Sequence, residues 1–198
     1  MMRARLTPML LLALVMACTE AARAADGFLI GDNTDAPGFA LDLEPLGFPA
    51  KKKISQAIVL GAGGSARAVV FALGHRARQI TIVARRPAQA DQLVHELSRH
   101  VRAELATARL ADLAPEAPEA KALLRGAALV VNTTSVGLHG EPFVPIDYSA
   151  TKATCAWYDL IYTAPQTSFL APAARLGRPT RNGLGMLLHQ GALAFELW

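Results

Sequence analysis

Cysteine is scarce in this sequence: Cys18 and Cys155 are the only two among 198 residues. Cysteines this far apart form neither a disulfide framework nor a zinc-ligand spacing, so we expect reduced, structural thiols. The five histidines also lack a metal-ligand spacing. The sequence therefore predicts no metal site.

Aromatic residues are few as well, at 6% of the chain, and the formal net charge is only +4. Nucleic-acid-binding surfaces usually combine clustered lysines and arginines with interleaved aromatic side chains. The one tight basic cluster, residues 51–53, directly precedes a predicted strand and is typical of a solvated linker. We therefore predict no nucleic-acid partner.

The hydrophobic runs are too short to predict a membrane-spanning helix, so we expect no membrane partner. The run Met9–Cys18 follows Arg3 and Arg5 and precedes Ala22-Arg23-Ala24. This order of a basic start, an apolar centre and small residues is the layout of a secretory signal peptide. We interpret residues 1–25 as a signal-like segment or a wrongly assigned start.

From residue 26 onward, short apolar segments alternate with helical patterns, which indicates an α/β fold with a parallel sheet. We predict one Rossmann-type, doubly wound domain over residues 26–198, with a linking helix at its start and a helix at its C-terminus. The predicted strands are 56–60, 79–84, 127–132 and 153–160, and the predicted helices are 36–46, 65–73, 87–99, 167–176 and 184–197. The Ala- and Pro-rich segment 101–118 gives no clear pattern, and residues 137–149 are predicted to be a loop.

A glycine-rich loop follows the first of these strands and opens a helix. Its sequence is Gly61-Ala62-Gly63-Gly64-Ser65-Ala66, which matches the pattern G-x-G-x-x-A. Gly61 permits the sharp turn, and Gly63 lets the backbone approach a pyrophosphate that binds the free N–H groups of the helix N-terminus. The loop predicts a dinucleotide site; the alternative is a glycine-rich turn without a ligand.

The end of the second strand bears on which dinucleotide binds. An NAD site usually has Asp or Glu there to bind the ribose hydroxyls. This strand instead ends at Ala84-Arg85-Arg86, and guanidinium groups bind phosphate with paired, charge-assisted hydrogen bonds. The sequence therefore favours NADP, and the alternative is a pair of arginines that cap a surface strand.

A polar run, Asp32-Asn33-Thr34-Asp35, precedes the linking helix. Asp, Asn and Thr are all good helix N-caps. A carboxylate at Asp35 that projects toward a polyol is the functional alternative. The spacing alone favours capping.

Five segments occur in one order along the chain: 32–39 (DNTDAPGF), the loop at 61–66, 132–137 (NTTSVG), 159–162 (DLIY) and 182–190 (NGLGMLLHQ). Together they resemble the shikimate dehydrogenase family over roughly residues 26–198. The resemblance implies reversible hydride transfer between NADPH and 3-dehydroshikimate, giving shikimate in the chorismate pathway of aromatic amino acid biosynthesis. It also implies a location in the cytoplasm.

The resemblance implies roles for particular residues. Asp35 matches the aspartate that binds substrate hydroxyls beside a catalytic lysine, and Tyr162 and Gln190 match further substrate-binding positions. Arg85 matches the arginine at the 2′-phosphate, although Ala84 departs from the asparagine that is common there. The implied cofactor site consists of Gly61, Ala62, Gly63, Gly64, Ser65, Ala84, Arg85, Arg86, Asn132, Thr133, Leu160 and Gly183.

The family's substrate domain, with its Ser-rich loop and catalytic lysine, has no match in this sequence. We therefore expect the second half of such an enzyme, weakly active by itself, with a possible homodimer or a separate substrate domain as partner. A non-catalytic NADP-binding module or gene fragment is one alternative. A quinate/shikimate dehydrogenase is the other.

Overall fold

The structure is a computed structural model that describes residues 3–4, 20–25 and 28–197. The signal-like run Met9–Cys18 lies outside the described residues. Three short strands, β1 (Arg3–Ala4), β2 (Glu20–Ala25) and β3 (Phe28–Asn33), form an antiparallel sheet in the order β1-β3-β2. The predicted boundary after residue 25 thus falls between two strands that pair with each other.

A second sheet contains six strands that all pair in parallel, as the alternation of elements predicts. Its order in space is β6-β5-β4-β7-β8-β9, which is the 3-2-1-4-5-6 order of a doubly wound Rossmann fold. The predicted fold class is confirmed. The strands are β4 (Ile54–Leu60), β5 (Ala77–Ala84), β6 (Glu104–Arg109), β7 (Leu129–Asn132), β8 (Ala156–Asp159) and β9 (Thr180–Asn182).

Helices connect these strands and cover both faces of the sheet. They are α1 (Asp35–Asp42), α2 (Gly64–Leu73), α3 (Pro87–Leu97), α4 (Ala120–Arg125), α5 (Leu170–Arg175) and α6 (Leu184–Leu197). Short 3-10 turns occur at Glu44–Leu46, Leu110–Leu113 and Tyr148–Ala150. The predicted helix 36–46 is therefore α1 followed by a 3-10 turn, which Gly47 ends with a φ of +81°.

The sequence analysis missed the three strands of the antiparallel sheet and also the two edge strands of the parallel sheet, β6 and β9. β6 has a half-exposed sequence, Glu-Leu-Ala-Thr-Ala-Arg, in which alanine and charged residues lower the strand propensity. β9 has only three residues. Edge strands pack on one neighbour, so their sequences lack the continuous apolar run of the buried strands.

The hydrophobic core has two layers, one on each face of the sheet. On one face, Phe39 of α1, Val69 of α2, Leu93 of α3 and Met186 of α6 pack against the strands. The other face is built around Trp157, whose ring stacks on Tyr148 with centroids 4.4 Å apart. The linking helix and the C-terminal helix thus share a layer with the helix that follows the glycine loop. No helix of the described residues is both long and apolar enough to cross a bilayer.

Candidate cofactor and substrate site

The glycine loop lies where the strand order of the sheet reverses, between the ends of β4 and β7. Gly61 has a φ of +113°, and a Cβ at that position would lie 2.5 Å from the Thr133 hydroxyl oxygen. The Thr133 hydroxyl in turn donates a hydrogen bond to the carbonyl of Leu60 at 2.7 Å. Only glycine fits this turn, as the sequence pattern predicts. Open α/β sheets bind their ligands in the crevice at this reversal point.

The N-terminus of α2 faces open space. Gly63 is the N-cap residue, with extended backbone and no side-chain hydrogen bond to the helix. A Cβ built on Gly63 or on Gly64 would meet no atom within 4 Å. The first N–H groups of this ten-residue helix can therefore bind an anion such as a pyrophosphate.

A cavity of about 280 Å³ joins this loop to the ends of the neighbouring strands. Arg85 and Arg86 line it and are both exposed, and neither guanidinium has a hydrogen bond or ion pair to any described residue. The structure thus places the glycine loop and the two arginines on one cavity. The lining includes seven of the predicted cofactor residues: Gly61, Ala62, Gly63, Ala84, Arg85, Arg86 and Thr133.

Asn132, another predicted cofactor residue, is fully buried beneath this cavity. Its amide donates to the Asp159 carboxylate at 2.9 Å, and its carbonyl oxygen accepts both the N–H and the hydroxyl of Thr134. Burial raises the pKa of Asp159, while hydrogen bonds from Thr167, Ile161 and Asn132 lower it by a smaller amount. The Asn132 side chain therefore orders the loop after β7 and presents no surface to the cavity.

Leu160 and Gly183, the positions implied beside the nicotinamide, are in direct contact. A Cβ on Gly183 would lie 2.1 Å from the carbonyl oxygen of Leu160. The Gly183 N–H donates to the carbonyl of Ile161 at 3.2 Å. The segments that follow β8 and β9 are therefore in backbone contact at a point where no side chain fits at Gly183.

Asp35 lies in the first turn of α1 and is only 6% exposed. It lines a cavity of about 710 Å³ together with Gly64 and Ser65 at the start of α2. The spacing favoured helix capping by this polar run. In the structure the side-chain oxygen of Asn33 accepts the Ala36 N–H of α1 at 3.1 Å. The structure thus brings the predicted catalytic carboxylate to the same cavity as the start of the glycine-loop helix.

Gln190 is half-buried on α6, at a point where the backbones of α6 and α1 approach each other closely. A Cβ on Gly38 would lie 2.9 Å from the backbone nitrogen of Gln190. The helices that carry Asp35 and Gln190 are therefore packed together. Tyr162 lies in the loop after β8, is 49% exposed, and lines neither of the two cavities described above.

Asp42 belongs to a polar cluster that the sequence analysis missed. Its carboxylate is fully buried and accepts a hydrogen bond of 2.6 Å from the Tyr158 hydroxyl. The Arg181 guanidinium forms an ion pair with the same carboxylate, and the Nε2 atom of His189 lies 4.0 Å from it. Burial and the adjacent carboxylate both raise the pKa of Tyr158, and the hydrogen bond to Asp42 raises the pKa of Arg181.

This cluster joins α1 and α6 to the ends of β8 and β9. The sequence does contain a signal for it, because Phe39, Asp42, Leu43 and Leu46 follow the i, i+3, i+4, i+7 spacing of a buried helix face. A carboxylate on such a face must have a partner, since an unpaired buried charge is costly. The partners themselves come from distant parts of the sequence.

Comparison with known proteins agrees with this geometry. The model named Shikimate 5′-dehydrogenase C-terminal domain matches residues 183–198. The shikimate dehydrogenase (NADP(+)) of Methylobacterium radiotolerans is 42% identical over 175 residues, which are 87% of this chain and 58% of that protein. By these matches this chain is similar to the C-terminal part of shikimate dehydrogenases. It spans a little under three-fifths of the length of the curated relatives it matches.

Solved structures of this dehydrogenase family have the same fold. A shikimate 5-dehydrogenase of Thermus thermophilus in complex with NADP(H) and shikimate is 37% identical, with a TM-score of 0.71 over 89% of this chain and 60% of that one. A ligand-free 5-ketofructose reductase of a Gluconobacter strain is 32% identical, with a TM-score of 0.75 over 89% of this chain and 61% of that one. Structures that share this fold thus include both shikimate dehydrogenases and a 5-ketofructose reductase.

Proposed function

We propose that this chain is the NADP-binding part of a shikimate dehydrogenase, which reduces 3-dehydroshikimate reversibly to shikimate in the chorismate pathway. The observation that supports this most is the cavity at the reversal point of the sheet, which the glycine loop shares with Arg85 and Arg86. The open space at Gly63 and Gly64 fits a pyrophosphate. Two exposed guanidiniums without partners among the described residues fit a 2′-phosphate.

In this proposal each part of the chain has a distinct task. The N-terminus of α2 binds the pyrophosphate, and the nicotinamide lies beside Leu160 and Gly183. Asp35, Gln190 and Tyr162 bind the hydroxyl groups of the substrate. These hydroxyl groups donate hydrogen bonds to the Asp35 carboxylate. Bound NADPH supplies the hydride.

The choice between NADPH and NADH tests the cofactor half of the proposal. We expect NADPH to bind at least about tenfold more tightly, because a charge-assisted contact between phosphate and arginine contributes about 1.5–3 kcal/mol. The Arg85→Ala variant should lose most of this preference. Fluorescence titration of both cofactors measures it, with Arg99→Ala, an exposed arginine at the far end of α3, as the matched control. Equal affinities in the unmodified chain would contradict the assignment.

Reduction of another polyhydroxylated ketone is the second candidate, and the likeness to a 5-ketofructose reductase favours it. The quinate/shikimate alternative differs from both because it would also oxidise quinate. Initial rates with shikimate, quinate and fructose-type substrates at equal concentration distinguish the three. A purely cofactor-binding module would bind NADPH and turn over none of them.

We also propose that the protein acts in the cytoplasm, where NADPH is available, and that residues 1–25 do not direct export. We expect the protein expressed from its native start to stay in the cytoplasmic fraction, unprocessed. Fractionation followed by N-terminal sequencing checks this, with a known periplasmic protein as the fractionation control. A periplasmic product that begins near Ala25 would contradict it.

A further inference from the structure

An arginine at the end of the edge strand lies beside the cavity that we assign to the cofactor. β5 and β6 pair in parallel with Ala84 opposite Arg109, so the two strands end side by side at the carboxyl-terminal end of the sheet. Neighbouring strands are about 4.8 Å apart. The residues that follow, Arg85 and Arg86 on one strand and Leu110 on the other, line one cavity.

The side chain of Arg109 is held by a single carboxylate. Oδ1 of Asp112 accepts a hydrogen bond from Nε of Arg109 at 3.1 Å and forms an ion pair with Nη2 at 2.9 Å, and Oδ2 accepts the backbone N–H of Arg109 at 2.9 Å. These hydrogen bonds hold the pKa of Asp112 below its usual range, so the carboxylate is ionised at neutral pH. These contacts favour one orientation of the guanidinium.

This arrangement leaves most of the guanidinium available. A guanidinium has five N–H donors, and Asp112 takes only the Nε–H and one on Nη2. Nothing else among the described residues bonds to this side chain, which is 67% exposed, whereas that of Asp112 is 15% exposed. Three donors therefore remain on the edge of the fork that faces away from Asp112.

Stability alone does not account for the ion pair between the side chains of Arg109 and Asp112. The backbone N–H of Arg109 already bonds to Asp112 without the arginine side chain, and an exposed ion pair contributes only about 0–1 kcal/mol. The nearest acid on α3, Asp91, accepts the hydroxyl of Thr107 at 2.9 Å. The carboxyl-terminal ends of β5 and β6 thus carry three arginines, of which Arg109 is paired with Asp112 and also lies in the field of Glu119, while neither the Arg85 nor the Arg86 guanidinium is paired with any described residue.

We propose that Arg109 is a third phosphate-binding arginine of the cofactor site, held in position by Asp112, and that it contributes to the preference for a 2′-phosphorylated dinucleotide. The inference rests on the proposed NADP-binding function and deepens it. A guanidinium that is already ordered loses little conformational freedom when it binds phosphate, which favours arginine over a mobile lysine at this position.

The test is a titration of the full chain and its variants with NADP⁺, NAD⁺, 2′,5′-ADP and 5′-ADP. Arg109→Ala should weaken NADP⁺ and 2′,5′-ADP about five- to tenfold and change NAD⁺ and 5′-ADP less than about twofold. Arg109→Lys, which keeps the charge and loses the fork, should fall between. Arg102→Ala is the matched control, because Arg102 is an exposed arginine that precedes the start of the same strand.

The outcomes separate this inference from the proposed function. If Arg85→Ala abolishes the preference for NADP⁺ and Arg109→Ala leaves all four affinities unchanged, the inference fails and the proposed function stands. Equal loss of both dinucleotides together with a lowered Tm would assign Arg109 a purely structural role and also overturn it; Arg109→Gln checks that result with a polar side chain. Failure of the unmodified chain to bind NADP⁺ would overturn the proposed function itself.

Discussion

Residues 1–198, assayed as an isolated polypeptide, are expected to bind NADPH but to reduce 3-dehydroshikimate about 10²–10⁴-fold more slowly than the full-length relative from Methylobacterium radiotolerans, the loss typical of a missing general acid. The carbonyl oxygen needs a proton as the hydride arrives, and the donor must be within hydrogen-bond reach. In the family a lysine beside the residue matched by Asp35 has this role. Loss of substrate positioning would slow the reaction further.

The described lysines lie in the wrong places to substitute. Lys52 donates to the carbonyl of Gly47, and Lys53 donates to the carbonyl of His75. Both lysines lie at the amino-terminal end of the parallel sheet, where β4 begins. β4 has seven residues, so this end is about 20 Å from the glycine loop at its other end. Lys152 precedes β8 at the same end. Lys121 is on α4, which covers the face of the sheet opposite α1.

Shikimate-dependent reduction of NADP⁺, followed by absorbance at saturating cofactor, measures this. The full-length relative provides the reference rate, and Asp35→Asn in the isolated polypeptide provides the background. Turnover within about tenfold of the reference would mean that another group in residues 1–198 donates the proton.

Removal of the Asp42 carboxylate is expected to lower the free energy of unfolding by about 3–5 kcal/mol, as for other buried pairs that lose one partner. In Asp42→Ala the Arg181 guanidinium and the Tyr158 hydroxyl lose their shared acceptor. Tyr158→Phe removes one hydrogen bond to the carboxylate and should cost less, about 1.5–3 kcal/mol. Glu44→Ala, an exposed acid two residues along, is the matched control and should change stability by less than about 0.5 kcal/mol.

Urea denaturation followed by circular dichroism checks these values. A double-mutant cycle of Asp42→Ala with Arg181→Met isolates the interaction of the ion pair from the loss of each side chain. A loss below about 1 kcal/mol in Asp42→Ala would show that the cluster contributes no more than a surface pair.

The central part of the fold could be predicted from the sequence because its signals are local. The strand at 54–60, the turn at Gly61 and the helix at 64–73 depend on adjacent residues: an apolar run, a glycine where no Cβ fits, and a helical spacing. The position of the two arginines followed from the end of the next strand. Their proximity to the glycine loop could also be predicted, because neighbouring parallel strands end at the same end of the sheet.

The rest depends on contacts between distant residues. The inward orientation of Asn132 follows from Asp159, 27 residues later. The partners of Asp42 lie 116 and 139 residues along the chain. Pattern analysis compares near neighbours, so the helical spacing could have indicated that Asp42 needs a partner but not which residue that partner is.

The bond between Asp42 and Arg181 also sets an order of events during synthesis. Ribosomes add about 5–20 residues per second, so the 139 residues that separate the partners take roughly 7–28 s. During that time Phe39 and Leu43 of α1, fully buried in the finished domain, lack the helix α6 that covers them. The linking helix can therefore be fully buried only after both β9 and α6 have been synthesised.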